Sequence, residues 1–581
     1  MVIFKGKKGK GINEIIPIIN KQLKKKNIRT FGLLLLFIIA INVLSSFLFT
    51  RIDLTTEKRY TLSKATKKIL KNIDDVVYFK IYLEGDFPAG FKRLKNETRE
   101  MLNQFKAYNT LIQYEFINPS EGKNKKQTNN IYKELYTKGI EPTNLQVKNN
   151  DGSSQQIIFP GAIVTYKEKE LPLQLLNSQL GVAPEAILNS SIESLEYNIA
   201  SVLKKLSLTT KPKIAFLQGH GELDKYETGS IAAMLSEYYD VNQITLLNNL
   251  NALDKIKALI IAKPNRIFSE NDKFIIDQFV MNGGKLIWLI NPVFASMDSL
   301  RTENQTIGIS QKLGIEDQLF KYGVRLNYDL IQDLNAMPLP IKTGNMGNQP
   351  QFSYLPWYFF PVIMPTVKHP IVNNLNAVKF EFTSSIDTVG SSKIKKTILL
   401  TTSQYTRLIQ TPVSISLDIM QEKPNEKAFN KSYIPTAVLL EGEFPSLFKN
   451  RLSDSMINQP NYHFKELSIP NKMIVISNGD VIKNDIQLTN GLKYPMPLGY
   501  DKYTRETFGN KEFILNCIDY LCDDSGLIDV RSRELKLRLL DKTKTAKYKT
   551  MIQFVNVGLP VLLILLFSLV NRFIRKRKFS A

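Results

Sequence analysis

The sequence predicts a large α/β ectodomain held between an N-terminal and a C-terminal transmembrane helix, and three observations carry that reading. Two uncharged apolar runs lie near the ends of the chain. Between them, strand-like apolar runs alternate with segments of helical periodicity. With 43% hydrophobic and 23% charged residues among 581, the composition is that of a globular chain rather than a bundle of membrane spans. The length has room for roughly two to four domains of about 150 residues.

The first segment, residues 1–30, is a basic tail. Residues 1–29 hold nine Lys or Arg against one acid, Glu14. Residues 31–49 (FGLLLLFIIAINVLSSFLF) follow, 19 residues without a charge, enough to cross about 28 Å of hydrocarbon at 1.5 Å per residue. A cleaved signal peptide is the competing reading, but the basic lead and the apolar run are both too long for one. Residues 551–571 form the second span. Its core, Met551 to Val570, is uncharged and contains Asn556 and Pro560. The tail 572–581 then carries Arg572, Arg575, Lys576, Arg577 and Lys578. Of the chain's net +23, the two tails hold 13. Short basic tails stay in the cytoplasm, so both termini are expected there and the middle of the chain outside. The remaining positive charge is interleaved with acids and gives no nucleic-acid footprint.

A first α/β domain is expected over residues 50–208. Ser63 caps a short helix, and a strand (Val76 to Leu83), a helix (Arg93 to Tyr108) and a strand (Ile112 to Ile117) make a β-α-β unit. Lys148 to Gln156 reads as a polar hairpin or loop, Gly161 to Tyr166 as a strand and Ser190 to Leu206 as a helix.

Residues 209–295 show a sharper pattern. Strands are expected at Lys213 to Gln218, Val241 to Leu246, Ala258 to Ala262 and Lys285 to Ile290, with helices at Thr228 to Tyr239 and Glu270 to Asn282. Continuous apolar strands alternating with helices predict a doubly wound parallel sheet covered on both faces. Residues 471–525 return to that domain, with Lys472 to Ser477 as a strand and Asn510 to Cys522 as a helix. Cys517 and Cys522 are the only cysteines. Five residues apart on a helix they are beyond disulfide reach, so reduced, buried thiols are expected. Residues 526–550 form a basic juxtamembrane stalk carrying Leu535, Leu537, Leu539 and Leu540. It reads either as a helix against anionic headgroups or as a solvated face.

Residues 296–470 lack regular alternation and read as an irregular or β-rich insertion. Within it Trp357, Tyr358, Phe359 and Phe360 lie among prolines, either as an aromatic partner contact or as an irregular piece of core.

Catalytic motifs are sparse. No G-x-x-x-x-G-K-[ST] and no G-x-S-x-G occurs, and His220, His369 and His463 lack partners at zinc-ligand spacing, so no cofactor, metal or catalytic residue is assigned. The best local ligand site is Gly219-His220-Gly221-Glu222, a turn at the carboxyl edge of the predicted sheet, where doubly wound folds bind ligands. The glycines would admit a ligand close to the backbone, and the His/Glu pair suits acid-base chemistry or anion binding. The alternative is a turn that needs positive φ and a His that merely hydrogen-bonds within it.

Seven segments in order, KRYTLS (Lys58 to Ser63), FLQGHGE (Phe216 to Glu222), LPWYFFP (Leu355 to Pro361), HPIVNNL (His369 to Leu375), LLEGEFPSLFKNR (Leu439 to Arg451), IVISNGD (Ile474 to Asp480) and PLGYDKYT (Pro497 to Thr504), together resemble the GldG family. That family is the gliding-motility-associated ABC transporter component of Bacteroidetes. The resemblance implies a complex with a cytoplasmic ATPase and a permease, GldA and GldF in that family, and a role in gliding. It also implies an inner-membrane location, a periplasmic ectodomain that binds a substrate or partner, and possible contact with gliding or secretion machinery. The GHGE-bearing domain is similar to amidotransferase-like folds, yet Lys263-Pro264 follows Ala258 to Ala262 where those folds carry a catalytic cysteine. A non-catalytic transporter subunit is therefore expected. The alternatives are an extracytoplasmic enzyme using His220 and Glu222, and a structural tether to cell-wall or secretion components.

Overall fold

Apolar runs bury themselves in helices or sheets wherever a partner layer exists. The computed structural model describes residues 12–47, 61–122, 124–149, 152–177, 179, 181–208, 210–346, 349–390, 393–452, 464–532 and 542–579. His463 and the stalk leucines at 535, 537, 539 and 540 lie outside the described residues. The chain divides into two units, Met1–Thr61 and Leu62–Ala581.

In the first unit, α1 (Ile12–Phe47) is one continuous helix, and its stretch Lys24–Val43 is apolar enough to cross a membrane. It starts well before the predicted Phe31, because lysines and arginines propagate a helix as readily as leucines do.

The second unit opens with α2 (Lys64–Lys71), capped by Ser63, whose hydroxyl accepts the Thr66 amide at 3.1 Å. The buried Glu196 carboxylate accepts the Ser63 amide at 2.6 Å and the Thr66 hydroxyl at 2.8 Å, which ties this cap to a helix 130 residues away. Next come β1 (Val77–Ile81), α3 (Ala89–Tyr108) and β2 (Ile112–Phe116), with β1 and β2 parallel. After α4 (Lys125–Thr137), β3 (Thr143–Asn149) and β4 (Gly152–Ile158) form a hairpin. Strands β5 (Gly161–Tyr166) and β6 (Lys169–Gln174) complete a four-stranded sheet ordered β2-β1-β5-β6. The helix expected at 190–206 is two, α5 (Pro184–Glu193) and α6 (Leu195–Leu206). They break at Ser194, whose hydroxyl donates back to the Ser190 carbonyl at 2.9 Å.

The larger sheet is built from β7 (Lys213–Gln218), β8 (Asp240–Thr245), β9 (Ala258–Ala262) and β10 (Lys285–Leu289), with helices α7 (Gly229–Ser236) and α8 (Glu270–Met281) between them. Strand Asn471–Ile476 pairs parallel with β10, and the parallel order runs from it through β10, β9 and β7 to β8. Two further strands, Pro435–Gly442 and Lys395–Thr401, extend the sheet to seven in antiparallel fashion. Both come from inside the span read as an insertion. Their short apolar stretches are not followed by helices, so the alternation that marks the other strands is missing there.

Alternate side chains of this sheet enter two cores. Phe216, Ile260, Ile287 and Ile474 point to one face, with Ile231 of α7 and Phe513 and Ile518 of the helix Asn510–Cys522. Leu217, Ile261, Trp288 and Val475 point to the other, with Ile276 and Val280 of α8. The first core continues through Phe79, Phe105 and Val164 of the smaller sheet, so the two sheets share one apolar interior. The chain's final helix, Lys549–Phe579, is apolar enough to span a membrane over Lys549–Arg577 and runs unbroken through Pro560.

The segment Trp357 to Phe360, read from the sequence as a partner contact or as a piece of core, is buried. Trp357 is fully buried, Tyr358, Phe359 and Phe360 are no more than 5% exposed, and the rings pack on Phe382 and Phe429. Strand Gln349–Ile363 carries them, paired with Ala336–Met346 and Val378–Lys379, and turns Trp357, Phe359 and Phe360 into a third core with Leu330 and Met337. Four large rings on one strand bury too much apolar area to remain outside once a second layer exists.

Candidate functional site

Strand β7 ends at Gln218, and Gly219 and Gly221 both take positive φ, +123° and +74°. A Cβ on Gly221 would lie 1.8 Å from Asn265 Oδ1, so this position is filled from outside as well as bent from within. The His220 carbonyl accepts the Asn265 and Arg266 amides, both at 2.9 Å, and the Leu223 amide donates to the Ala262 carbonyl at 3.0 Å. The turn after β7 is thus laced to the turn after β9.

The His220 ring is held on every side. Nδ1 lies 3.2 Å from Glu222 Oε1, Nε2 lies 3.2 Å from Asp272 Oδ2, and the ring stacks on Phe268 at 3.8 Å between centroids. The Glu222 carboxylate also accepts the His220 amide at 2.7 Å. Asp272 sits in the first turn of α8, where Ser269 caps the helix and donates to the same carboxylate oxygen at 2.7 Å. Burial pushes the imidazole pKa down, but the two carboxylates outweigh it and the net shift is upward. The imidazole, held between two carboxylates, links the β7 turn to α8. With 7% of its surface exposed, His220 offers little of its ring to solvent.

A second cluster lies at the same edge. Lys263, the first residue after β9, adopts φ +55° and pairs with Asp480 after strand Asn471–Ile476. Asn291, after β10, donates to Asp480 at 2.9 Å and accepts the Gly479 amide. Gly479 must be glycine, because a Cβ there would lie 2.4 Å from the Lys263 Cβ. Burial raises the Asp480 carboxyl, the Lys263 and Lys483 ammoniums outweigh it, and it is held below the usual carboxylate range.

The structure places Gly219, His220, Gly221 and Glu222 in the turn after β7 and sets Asp272, Phe268, Asn265, Lys263, Asn291 and Asp480 at the same edge, which sequence reasoning did not assign. One signal was available. Ser269 with Asp272 three residues on is a helix-start pattern directly after a strand and turn, and places a carboxylate at the sheet edge. The pairings across 52 and 217 residues had no such signal.

The two larger sheets share one core, and near each end of the chain lies a helix long and apolar enough to cross a membrane. Residues 211–517 match the family model described as an ABC-type uncharacterized transport system, and residues 56–165 match a domain of unknown function. The first match spans more than half of the chain, which therefore belongs to that family of ABC transport auxiliary proteins. An uncharacterized protein of Borreliella burgdorferi is 24% identical over 574 residues, covering 96% of this chain and 99% of its own. Among solved structures, the mmIFT52 N-terminal domain aligns with a TM-score of 0.31 and 12% identity over 54% of this chain and 98% of its own. An exo-beta-1,4-mannosidase from an Opitutaceae bacterium aligns at 0.18 and 10% identity over 67% of this chain and 46% of its own. TM-scores this low establish no shared fold. The family match agrees with the transporter-accessory part of the GldG resemblance and does not single out the gliding subfamily.

Proposed function

We propose that the chain is a membrane-anchored, non-catalytic subunit of an ABC transporter complex whose ectodomain binds a substrate or partner outside the cytoplasm. The observation that carries this reading is the transport-family match over residues 211–517 in a chain with a long apolar helix near each end. The sequence holds no phosphate-cradling loop, so the energy comes from a partner ATPase, and the helices are the path by which that ATPase acts on the ectodomain. The basic tails orient both termini into the cytoplasm and the ectodomain into the periplasm. The His220–Glu222 pair supports a structural role better than acid-base chemistry, since both groups are engaged in a largely buried hydrogen-bond network.

Affinity purification of the tagged full chain from membranes tests the reading. The ATPase and permease are expected to co-purify, and deletion of residues 31–49 or 551–571 is expected to abolish this. A complex that survives both deletions contradicts the proposal. The finer assignment, a part in surface gliding as in the GldG family, rests on the seven resembling segments, and a deletion strain that glides normally would end it.

A further inference from the structure

Doubly wound sheets bind ligands at their carboxyl edge, but here the His220 and Lys263 pairs stand at that edge. A cavity of about 300 Å³ opens instead at the opposite edge, where Pro212 precedes β7, Tyr239 precedes β8 and Lys257 precedes β9. Helix α6 of the smaller-sheet layer forms a second wall, and the C-terminal end of Asn510–Cys522 a third. Its volume is at the lower end of the range for small-molecule sites.

The charges around the cavity are unevenly matched. Lys204 pairs with Asp523 at 2.6 Å, and Lys257 pairs with Asp524 at 2.5 Å. Neither Lys205 nor Lys68 forms an ion pair among the described residues, and Asp519 forms none either, although it accepts the Tyr239 hydroxyl at 2.9 Å. Lys205 sits instead with its ammonium 3.6 Å from the centre of the Tyr238 ring. Asp519 acts on Lys205 electrostatically without reaching it, so a cation and an anion line one cavity unpaired. Burial pulls the Lys205 ammonium below the usual lysine range against the Asp519 and Glu237 carboxylates, neither of which forms an ion pair with it among the described residues. Tyrosine walls beside such charges suit a ligand that is polar at its ends and compact between them.

We propose that this cavity is the ligand site of the ectodomain and that it takes a small zwitterion, an amino acid or a short peptide. The ligand carboxylate meets Lys205 and Lys68, and its ammonium meets Asp519. The proposal rests on the reading of the chain as a ligand-binding transporter subunit and names the ligand class for it.

Calorimetric titration of the detergent-solubilised full chain tests this with glycylglycine, L-alanine, L-glutamate, acetate and ethylamine. At least one of the three zwitterions is expected to bind, about tenfold or more tighter than acetate or ethylamine. Lys205→Met is expected to lose that binding, and Asp519→Asn to shift the preference toward acetate, with thermal melts confirming that both variants fold. Lys138→Met, which removes a lysine paired with Glu170 outside the cavity, is expected to bind within about threefold of the parent; an equal loss in this variant overturns the assignment to Lys205. Absence of binding by all three zwitterions, acetate binding as tightly as the best of them, or unchanged affinity in Lys205→Met also overturns the proposal. Should Lys205→Met not fold, the Asp519→Asn preference decides alone. Co-purification with the ATPase reports separately on the transporter reading, so loss of one result with the other intact shows which idea has failed.

Discussion

Burial alone would keep His220 neutral, yet Glu222 and Asp272 on its two ring nitrogens raise its pKa above the ordinary 6.5. A raised folded-state value contributes stability that is fully present below the unfolded pKa and is lost as pH rises through the folded one. His369 behaves in the opposite sense. Burial lowers it to about 4, and the Lys395 and Lys472 ammoniums add to this against Glu441. Its contribution is present above 6.5 and is lost as pH falls toward 4. Melting curves of His220→Asn and His369→Asn from about pH 5 to 8 are expected to separate these effects. The deficit of His220→Asn against the parent shrinks as pH rises, and that of His369→Asn grows. At the carboxyl edge, Lys263→Met leaves Asp480 buried without its paired ammonium. A loss of about 3–5 kcal/mol is expected in urea unfolding, with Lys263→Met/Asp480→Leu recovering part of it.

Helix α8 shows how an element is fixed by one side chain. Asp277 on it is fully buried and accepts the Tyr322 hydroxyl at 2.8 Å, the Ser446 hydroxyl at 2.6 Å and the Leu447 amide at 2.9 Å. Burial raises this carboxyl against those hydrogen bonds. Asp277→Ala strands three buried donors and is expected to cost about 3 kcal/mol or more, read from denaturant midpoints. Elements of this kind were legible in part. Strands β7, β9 and β10 stand out because each is a continuous apolar run followed by a turn and then a helix or a second strand. Strands Lys395–Thr401 and Pro435–Gly442 do not, since Lys395, Lys396 and Pro435 blur their ends and the chain returns antiparallel without a helix. The break at Ser194 was hidden for a related reason. A serine inside a helical pattern changes the period very little, although α5 ends at Glu193 and α6 begins at Leu195.

Across the whole molecule, the two free cysteines offer a test of topology. Burial pushes the Cys517 thiol well above its ordinary value and Cys522 to about 12, so both are inert as nucleophiles in the folded protein. Native chain in intact cells is expected to take no membrane-impermeant maleimide. Leu247→Cys, at a position 81% exposed, is expected to label once the outer membrane is permeabilised, and Arg577→Cys only after the inner membrane is lysed. The reverse pattern would invert the proposed orientation.

The apolar runs, their periods and the basic tails were readable from the chain alone because each is a local property. A 19-residue uncharged run or a five-residue strand needs no knowledge of what lies beside it in space. The charges at the two sheet edges are different. His220 gains Asp272, Lys263 gains Asp480 and Lys205 is left facing Asp519 only once β7, β9 and the helix Asn510–Cys522 are packed. The pairing of strand Gln349–Ile363 likewise buried Trp357 to Phe360, which the sequence alone left open as surface or core. An ion pair or a cavity depends on distances between residues far apart in sequence, and only the folded chain sets those distances.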